Sequence, residues 1–343
     1  MALQFDTLEH LAQGDIPDAL GGACLGRPAA RQRPCSTWPV QQVRAPLLGG
    51  SAEVLHEVWR ASPGLVGGHT TGIHWCRSGD VLYGTIELEE RDWAGSGACS
   101  ALEAASEAAY TRIFRLLDAQ GLPHLWRAWN YVRDIHGDEA GLERYRRFNL
   151  GRARAFEGAA RSVVGRVPAA CALGLGEGPL SVAFLAGTTP AVPIENPRQV
   201  SAYLYPVDYG PRSPTFSRAA LVHPDGQEWL FVSGTASIVG HRSMHLGDVV
   251  AQTHESLDNI AAVLAEANRQ CRSAPFALEG LSYRVYVRHP RDADAVMVVV
   301  RQRCGTAPVV CLQADVCRMD LLVEIEAQAG HTARAPFTEG NPP

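Results

Sequence analysis

Two carboxylates sit two residues apart near the C-terminal end of the chain, in the stretch CRMDLLVEIEA that runs from Cys317 to Ala327. Its Leu, Val and Ile mark a strand, in which side chains alternate, so Leu322, Glu324 and Glu326 point one way and Val323, Ile325 and Ala327 the other. Either the carboxylates face solvent on an edge strand, or one of them lines a cavity as a proton donor. In the second case desolvation raises its pKa and lets it hold a proton near neutral pH, as a general acid must. Cys317 lies a short loop away.

Other residues could meet a ligand. The segment YLYPVDYGPRSPTFSRA (203 to 219) packs three tyrosines, two arginines and three prolines into 17 residues. It reads either as an ordinary surface loop or as a clamp for a ligand with carboxylates. In the clamp, Arg212 and Arg218 supply planar forks, and Tyr205 and Tyr209 supply orienting hydroxyls. FVSGTASIVG (231 to 240) is a strand that breaks into small residues, where Gly234 would let a ligand approach the backbone, although a tight turn has the same composition. RYRRFNLGRARAF (144 to 156) carries five arginines on an expected helix. A solvated face accounts for most of them, and Arg152, next to Gly151, is the one singled out.

Some constellations fall short. Gly174-Leu-Gly-Glu-Gly178 has the wrong spacing for a dinucleotide loop and runs straight into Pro179, so it reads as a loop. His241, His245 and His254 have no acidic or cysteine ligand at metal spacing, and no metal site is expected. The chain contains no lysine, so all 31 of its basic residues are arginine. That removes Schiff-base chemistry, a pyridoxal-phosphate anchor and a phosphate-loop lysine.

The elements that must position these residues read as an α+β chain. Residues 1–65 are an irregular lead-in rich in Gly, Pro and Ala. From Ile73 to Glu90 the pattern alternates as paired strands with a turn at Ser78-Gly79-Asp80. A helix spans 101–120, a strand 124–135 and a second helix 142–160. The Gly- and Pro-crowded stretch 165–197 reads as a junction, with a strand at 179–185. The C-terminal half then repeats the order. It has a strand at 228–233, a helix capped by Asp248, a strand at 281–289, a helix at 290–304 and strands at 308–316 and 321–329. RAWNYVRDI in the N-terminal half and SYRVYVRHP in the C-terminal half have the pattern of equivalent strands, which points to duplication. The expected division is a first domain over 66–190, a second over 191–330 and a fraying tail over 331–343.

The net charge of −5 and the absence of a basic run give no footprint for nucleic acid. No apolar stretch reaches the roughly 18 residues of a membrane span, and the start of the chain has no basic-then-apolar leader. Nine cysteines without a CxxC suit reduced thiols, so a cytoplasmic protein acting on a small molecule is expected.

Taken together, YPVDYGPRSPTFSRA, LFVSGTASIVGHRSMHLGD, CRMDLLVEIEA, RAWNYV and ERYRRFNLGRA resemble the chorismatases, enzymes that remove pyruvate from chorismate. The likeness runs from about Gly67 to Ala329. It implies two tandem domains of the RidA (YjgF), chorismate mutase-like type, each a mixed sheet packed on one side by helices, the first degenerate and the second catalytic. It implies that Glu324 is the acid that protonates the enolpyruvyl methylene of chorismate, and that Tyr205 and Arg218 touch the substrate, with Arg212, Tyr209 and Arg152 as weaker transfers. It implies no cofactor and leaves open a monomer or a small homo-oligomer.

Two positions sort this family by product. Members that hydrolyse chorismate to a dihydroxycyclohexadiene carboxylate have Ala at the positions of Gly234 and Cys317, whereas members that make 3-hydroxybenzoate have Gly and Cys, as here. The resemblance therefore implies 3-hydroxybenzoate and pyruvate, with 4-hydroxybenzoate or the dihydroxy diene as the alternative product. An imine deaminase of the RidA type is a further alternative, but it should carry Arg two residues before the Cys of the penultimate strand. Val309 stands there before Cys311.

Overall fold

The computed structural model describes residues 2–9, 16–27, 37–50, 52–62, 64–93, 99–139 and 141–332. It opens with four strands, β1 (Ala2–Leu8), β2 (Ala19–Gly26), β3 (Val40–Val43) and β4 (Val54–Ser62), in a sheet of order β1-β4-β2-β3. This corrects the expectation of an irregular lead-in over 1–65. The Gly and Ala that read as loose are small because their neighbours are close. All of β2 is buried, and a Cβ on Gly21 would overlap the Tyr83 ring, as one on Gly22 would overlap the Glu57 carbonyl.

Next come β5 (Leu65–Thr70), β6 (Ile73–Ser78), β7 (Val81–Leu88), β8 (His124–Arg133), β9 (Ala169–Leu175) and β10 (Leu180–Gly187). They form a sheet of order β5-β6-β7-β10-β8-β9 in which β8 and β9 run parallel. Helix α1 (Ala101–Ala119) joins β7 to β8, and α2 (Arg144–Gly158) supplies the crossover that the parallel pair requires.

The third sheet is built on the same plan. Its strands are β11 (Val192–Ile194), β12 (Ala219–Val222), β13 (Gln227–Ala236), β16 (Ser282–Val287), β17 (Val309–Gln313) and β18 (Val323–Thr332), with the short hairpin β14 (Ile238–Val239) and β15 (Arg242–Ser243) outside it. Its order, β11-β12-β13-β18-β16-β17, matches the second sheet strand for strand. Helices α3 (Val249–Asn268) and α4 (Ala293–Cys304) hold the places of α1 and α2. RAWNYVRDI and SYRVYVRHP are β8 and β16, equivalent strands in the two sheets. Ser100 and Asp248 cap α1 and α3, each accepting from a backbone amide at 3.2 and 2.9 Å.

Helices α1 and α2 cover one face of their sheet, and α3 and α4 cover one face of theirs. The remaining faces meet each other and the N-terminal sheet around Trp59, Trp129, Trp229 and Phe231. The sheets are thus covered on both sides, which is why their strands read as nearly continuous apolar runs.

The stretch 165–197 is not a linker, since it holds β9 and β11 as well as β10. Gly174-Leu-Gly-Glu-Gly178 ends β9 and turns into β10, and Gly174 exchanges backbone hydrogen bonds of 2.7 and 2.9 Å with Asp315. His331 and Thr332 complete β18, while 333–343 lie outside the described residues.

Candidate active site

The strand β18 lies between β13 and β16, not at an edge, and this excludes the solvent-facing alternative for its carboxylates. Val323, Ile325 and Ala327 join the core beneath α3 and α4. Glu324 and Glu326, each only 3% exposed, point into the seam between the sheets.

The two glutamates have different surroundings. Glu326 pairs with Arg127 of β8 and, at 3.3 Å, with Arg284 of β16, and the Tyr286 hydroxyl donates to it at 3.0 Å. Arg284 also grips Glu57 of β4, its Nε donating to both carboxylate oxygens at 2.9 Å, and its Nη1 donates to the Tyr131 hydroxyl at 3.1 Å. Glu324 has no such partners among the described residues. Burial first and the Glu326 charge second push its carboxyl up to about 8, with Arg127 opposing in part. One glutamate is therefore tied into ion pairs with two arginines, while burial pushes its neighbour up to about 8, so that it carries a proton at neutral pH.

Backbone register explains why the acid occurs once. Tyr286 and Arg284 stand opposite Glu324 and Glu326, whereas in the first repeat Tyr131 and Trp129 stand opposite Ser181 and Ala183. Ser181 accepts from Gln41 of β3 at 3.1 Å, so the equivalent place in the first repeat is occupied by the N-terminal sheet. On the other side of Glu324, the pairing of β13 with β18 slips between Val232 and Thr235, and Gly234 sits in that bulge. A Cβ there would overlap a Glu324 carboxyl oxygen and stand 3.2 Å from Cys171 Cβ. The bulge and the missing side chain make the room that the carboxyl uses.

Arg152 is the exception among the arginines of α2. Arg144 pairs with Glu90 at 2.6 Å, Arg146 with Glu143 at 3.3 Å, and Arg147 and Arg154 with Glu103 at 3.1 and 2.5 Å. Arg152 is 2% exposed, yet its Nε and Nη2 have no hydrogen-bond partner among the described residues. Its guanidinium lies 5.0 Å from the Tyr110 ring, with Phe156 at 5.6 Å and Phe148 at 6.0 Å. A buried guanidinium with open donors, held by aromatic faces, has the capacity to pair with an anion. Tyr145, about two turns earlier on the helix, lies within electrostatic reach of Cys317, Glu324 and Arg152, each acting on its hydroxyl.

The loop before β12 joins the same end. Arg218 is buried and donates to the Tyr205 hydroxyl and the Val200 carbonyl, both at 2.8 Å, with its Nε left unpaired among the described residues. Arg318, the residue after Cys317, lies over the rings of Tyr209 and Tyr205 at 4.1 and 5.2 Å, and the Tyr209 hydroxyl meets His241 at 3.2 Å. The Cys317 side chain packs against Ala236, Ile238, Val316 and Leu321, and burial with the nearby Glu324 pushes its thiol up to about 12. It stays a thiol, which suits a shape-setting wall better than a nucleophile.

Arg212 does not join them. It is half exposed and pairs with Glu157 at 3.0 Å on the surface. Two clefts, of about 350 Å³ beside Arg112 and about 250 Å³ beside Phe5 and Val309, include neither Glu324 nor Arg152. The structure adds Arg127, Arg284, Glu57, Tyr286 and Tyr145, none of which the sequence marks as a site residue. Arg127 and Arg284 carry the signal that marks Glu324, a charge inside an apolar strand, but Glu57 and Tyr145 come from elements whose approach to β18 is purely tertiary. Among the described residues no cluster of three His, Cys, Asp or Glu could hold a metal, and no helix is long and apolar enough to cross a membrane.

Comparison with known proteins agrees with this geometry. A family model described as "Chorismatase FkbO/Hyg5-like, N-terminal" matches residues 57–186. A chorismatase of Streptomyces rapamycinicus is 40% identical over 80% of this chain and 82% of its own length. A 3-hydroxybenzoate synthase of Streptomyces hygroscopicus is 38% identical over 82% of this chain and 83% of its own. The crystal structure of a chorismatase superposes with a TM-score of 0.84 at 34% identity, covering 96% of this chain and 98% of that one. With such identity along most of its length, the chain belongs to the chorismatase family.

Proposed function

We propose that the protein converts chorismate to 3-hydroxybenzoate and pyruvate, with Glu324 as the acid. The observation that carries this reading is a buried carboxyl that burial pushes up to about 8, so that it holds a proton at neutral pH, together with the buried guanidinium of Arg152, whose Nε and Nη2 have no hydrogen-bond partner among the described residues. Protonating a vinyl ether needs a neutral acid held close, and a dianionic substrate needs fixed cations. Arg152 and Arg218 take its carboxylates, with Tyr205 and Tyr209 orienting them. In this reading residues 66–190 form the repeat without the acid and residues 191–330 the repeat that supplies it.

Glu324 gives its proton to the enolpyruvyl methylene. The ether bond at C3 then breaks, its electron pair forming the ketone of pyruvate, while the 4-hydroxyl oxygen bonds to C3 and passes its proton back to Glu324. The resulting arene oxide opens and loses the ring proton to become 3-hydroxybenzoate. The atoms of chorismate are conserved in the two products, so no water, metal or redox partner is consumed. The site's task is to hold the hydroxyl against C3 and keep water out. Gly234 and Cys317 support the 3-hydroxy product over the dihydroxy diene, as does the name of the relative from Streptomyces hygroscopicus.

The test is incubation of the purified protein with chorismate, without added metal or cofactor, followed by chromatography with mass detection. Pyruvate with 3-hydroxybenzoate is expected. Pyruvate with the dihydroxy diene would overturn the product assignment, and unchanged chorismate would overturn the activity.

A further inference from the structure

Glu326 is one link in a buried chain of four charges, Glu57, Arg284, Glu326 and Arg127, that crosses from β4 through β16 and β18 to β8. Two carboxylates and two guanidiniums cancel, and all four side chains are nearly inaccessible. A charge on Glu324 would be a fifth, with no counter-ion left to take. The other groups that face Glu324 or this chain add none. Cys171 on β9, Tyr83 on β7, and Tyr131 and Tyr286 on β8 and β16 are buried neutral groups, and Cys317 before β18 and Tyr145 on α2 are half-buried ones, each pushed upward by desolvation.

We propose that Glu57, acting through Arg284 and Glu326, is a positioning residue that keeps Glu324 in its proton-bearing form, and that the N-terminal sheet thereby completes the active site. The inference rests on the assignment of Glu324 as the acid. Without the Glu57 charge, Arg284 and Arg127 would outnumber Glu326, and the surplus positive charge would draw the proton off Glu324. The contribution is made at a distance, because Glu57 touches Arg284 and not the reacting atoms. The four-stranded sheet thus does two things at the seam. Gln41 occupies the place beside Ser181, and Glu57 balances the charge beside Glu324.

The experiment compares the full-length wild type with Glu57→Gln, Glu57→Asp and the double variant Glu57→Gln with Arg284→Met. Two readouts are taken from each. One is the pH profile of kcat for pyruvate release, and the other is the titration of the Glu324 carboxyl by carbon NMR of glutamate-labelled protein, assigned by its loss in Glu324→Gln. In Glu57→Gln both the alkaline limb and the carboxyl titration should move down by about one pH unit. Glu57→Asp keeps the charge and should keep the limb. The double variant removes one charge of each sign and should return the limb to the wild-type position, which a loss of packing alone would not do. An unmoved titration in Glu57→Gln, or no recovery in the double variant, overturns the proposal. So does a Glu324 that titrates in the ordinary carboxylate range in the wild type, whichever variants fold. Should the wild type leave chorismate unconsumed, the activity assignment fails, and the NMR titration still decides the role of Glu57.

Discussion

Replacing Glu324 by Gln should disable the enzyme and stabilise it, and the second effect can be worked from the structure. The carboxyl moves from the ordinary 4.5 to about 8 on folding, chiefly through burial. The folded protein therefore holds this proton to higher pH than the unfolded chain does. Stability attributable to the group is fully present below about pH 4.5 and is lost as pH rises towards about 8, beyond which the loss is constant. A shift of that size corresponds to about 5 kcal/mol when fully expressed. Glutamine has nearly the same shape and no such titration. The stability of Glu324→Gln relative to the wild type should thus rise by about 2 to 3 kcal/mol between about pH 5 and 7, and by about 4 by about pH 9. Urea unfolding of both proteins across that range measures it. A difference that stays constant with pH would refute the reasoning, because Glu324 would then titrate alike in both states. In the same protein kcat should fall at least about a hundredfold, the low end for removal of a general acid.

Three further outcomes follow from the site. Arg152→Met should raise KM for chorismate at least about tenfold, as expected for losing a charge-assisted contact, with little change in the midpoint of thermal unfolding, since its Nε and Nη2 bond no acceptor among the described residues. An unchanged KM would remove Arg152 from substrate binding. Gly234→Ala places a methyl group on the Glu324 carboxyl and displaces it, so formation of 3-hydroxybenzoate should fall by about tenfold or more, and with Cys317→Ala added the dihydroxy diene should appear by mass detection. Unaltered rate and product would show that the bulge does not govern the acid. Arg212→Ala should leave kcat and KM within about twofold, because its ion pair with Glu157 is exposed, and a large rise in KM would bring it back into the site.

Much of the architecture was legible because it is written in local pattern. Alternation and helical spacing located β6, β7, α1, β8, α3 and β16, and the likeness of RAWNYVRDI to SYRVYVRHP exposed the repeat. Where local pattern misled, the reason was packing. The Gly and Ala of β2 and of the stretch 165–197 have the composition of a loop, but several mark places where strands and rings approach too closely for larger side chains. Nothing local distinguishes a glycine that frees a turn from one that admits a tyrosine ring.

The sequence by itself determined which residues could act. Alternation put Glu324 and Glu326 on one face of an apolar strand, and the absence of lysine left arginine to bind anions. Only the tertiary structure decided what each of them does. Protonation depends on charges within a few ångströms and on exclusion of water, and those charges come from distant parts of the chain. Arg127 lies 199 residues before Glu326, and Glu57 lies 227 residues before Arg284. Folding pairs Glu326 with Arg127 and Arg284 and gives Glu324 no ion pair among the described residues, so that two like residues on one strand have different surroundings and Glu324 alone is pushed up to about 8. The same physics separated Arg152 from the four arginines beside it on α2, since each of those found a carboxylate and Arg152 was buried with none among the described residues.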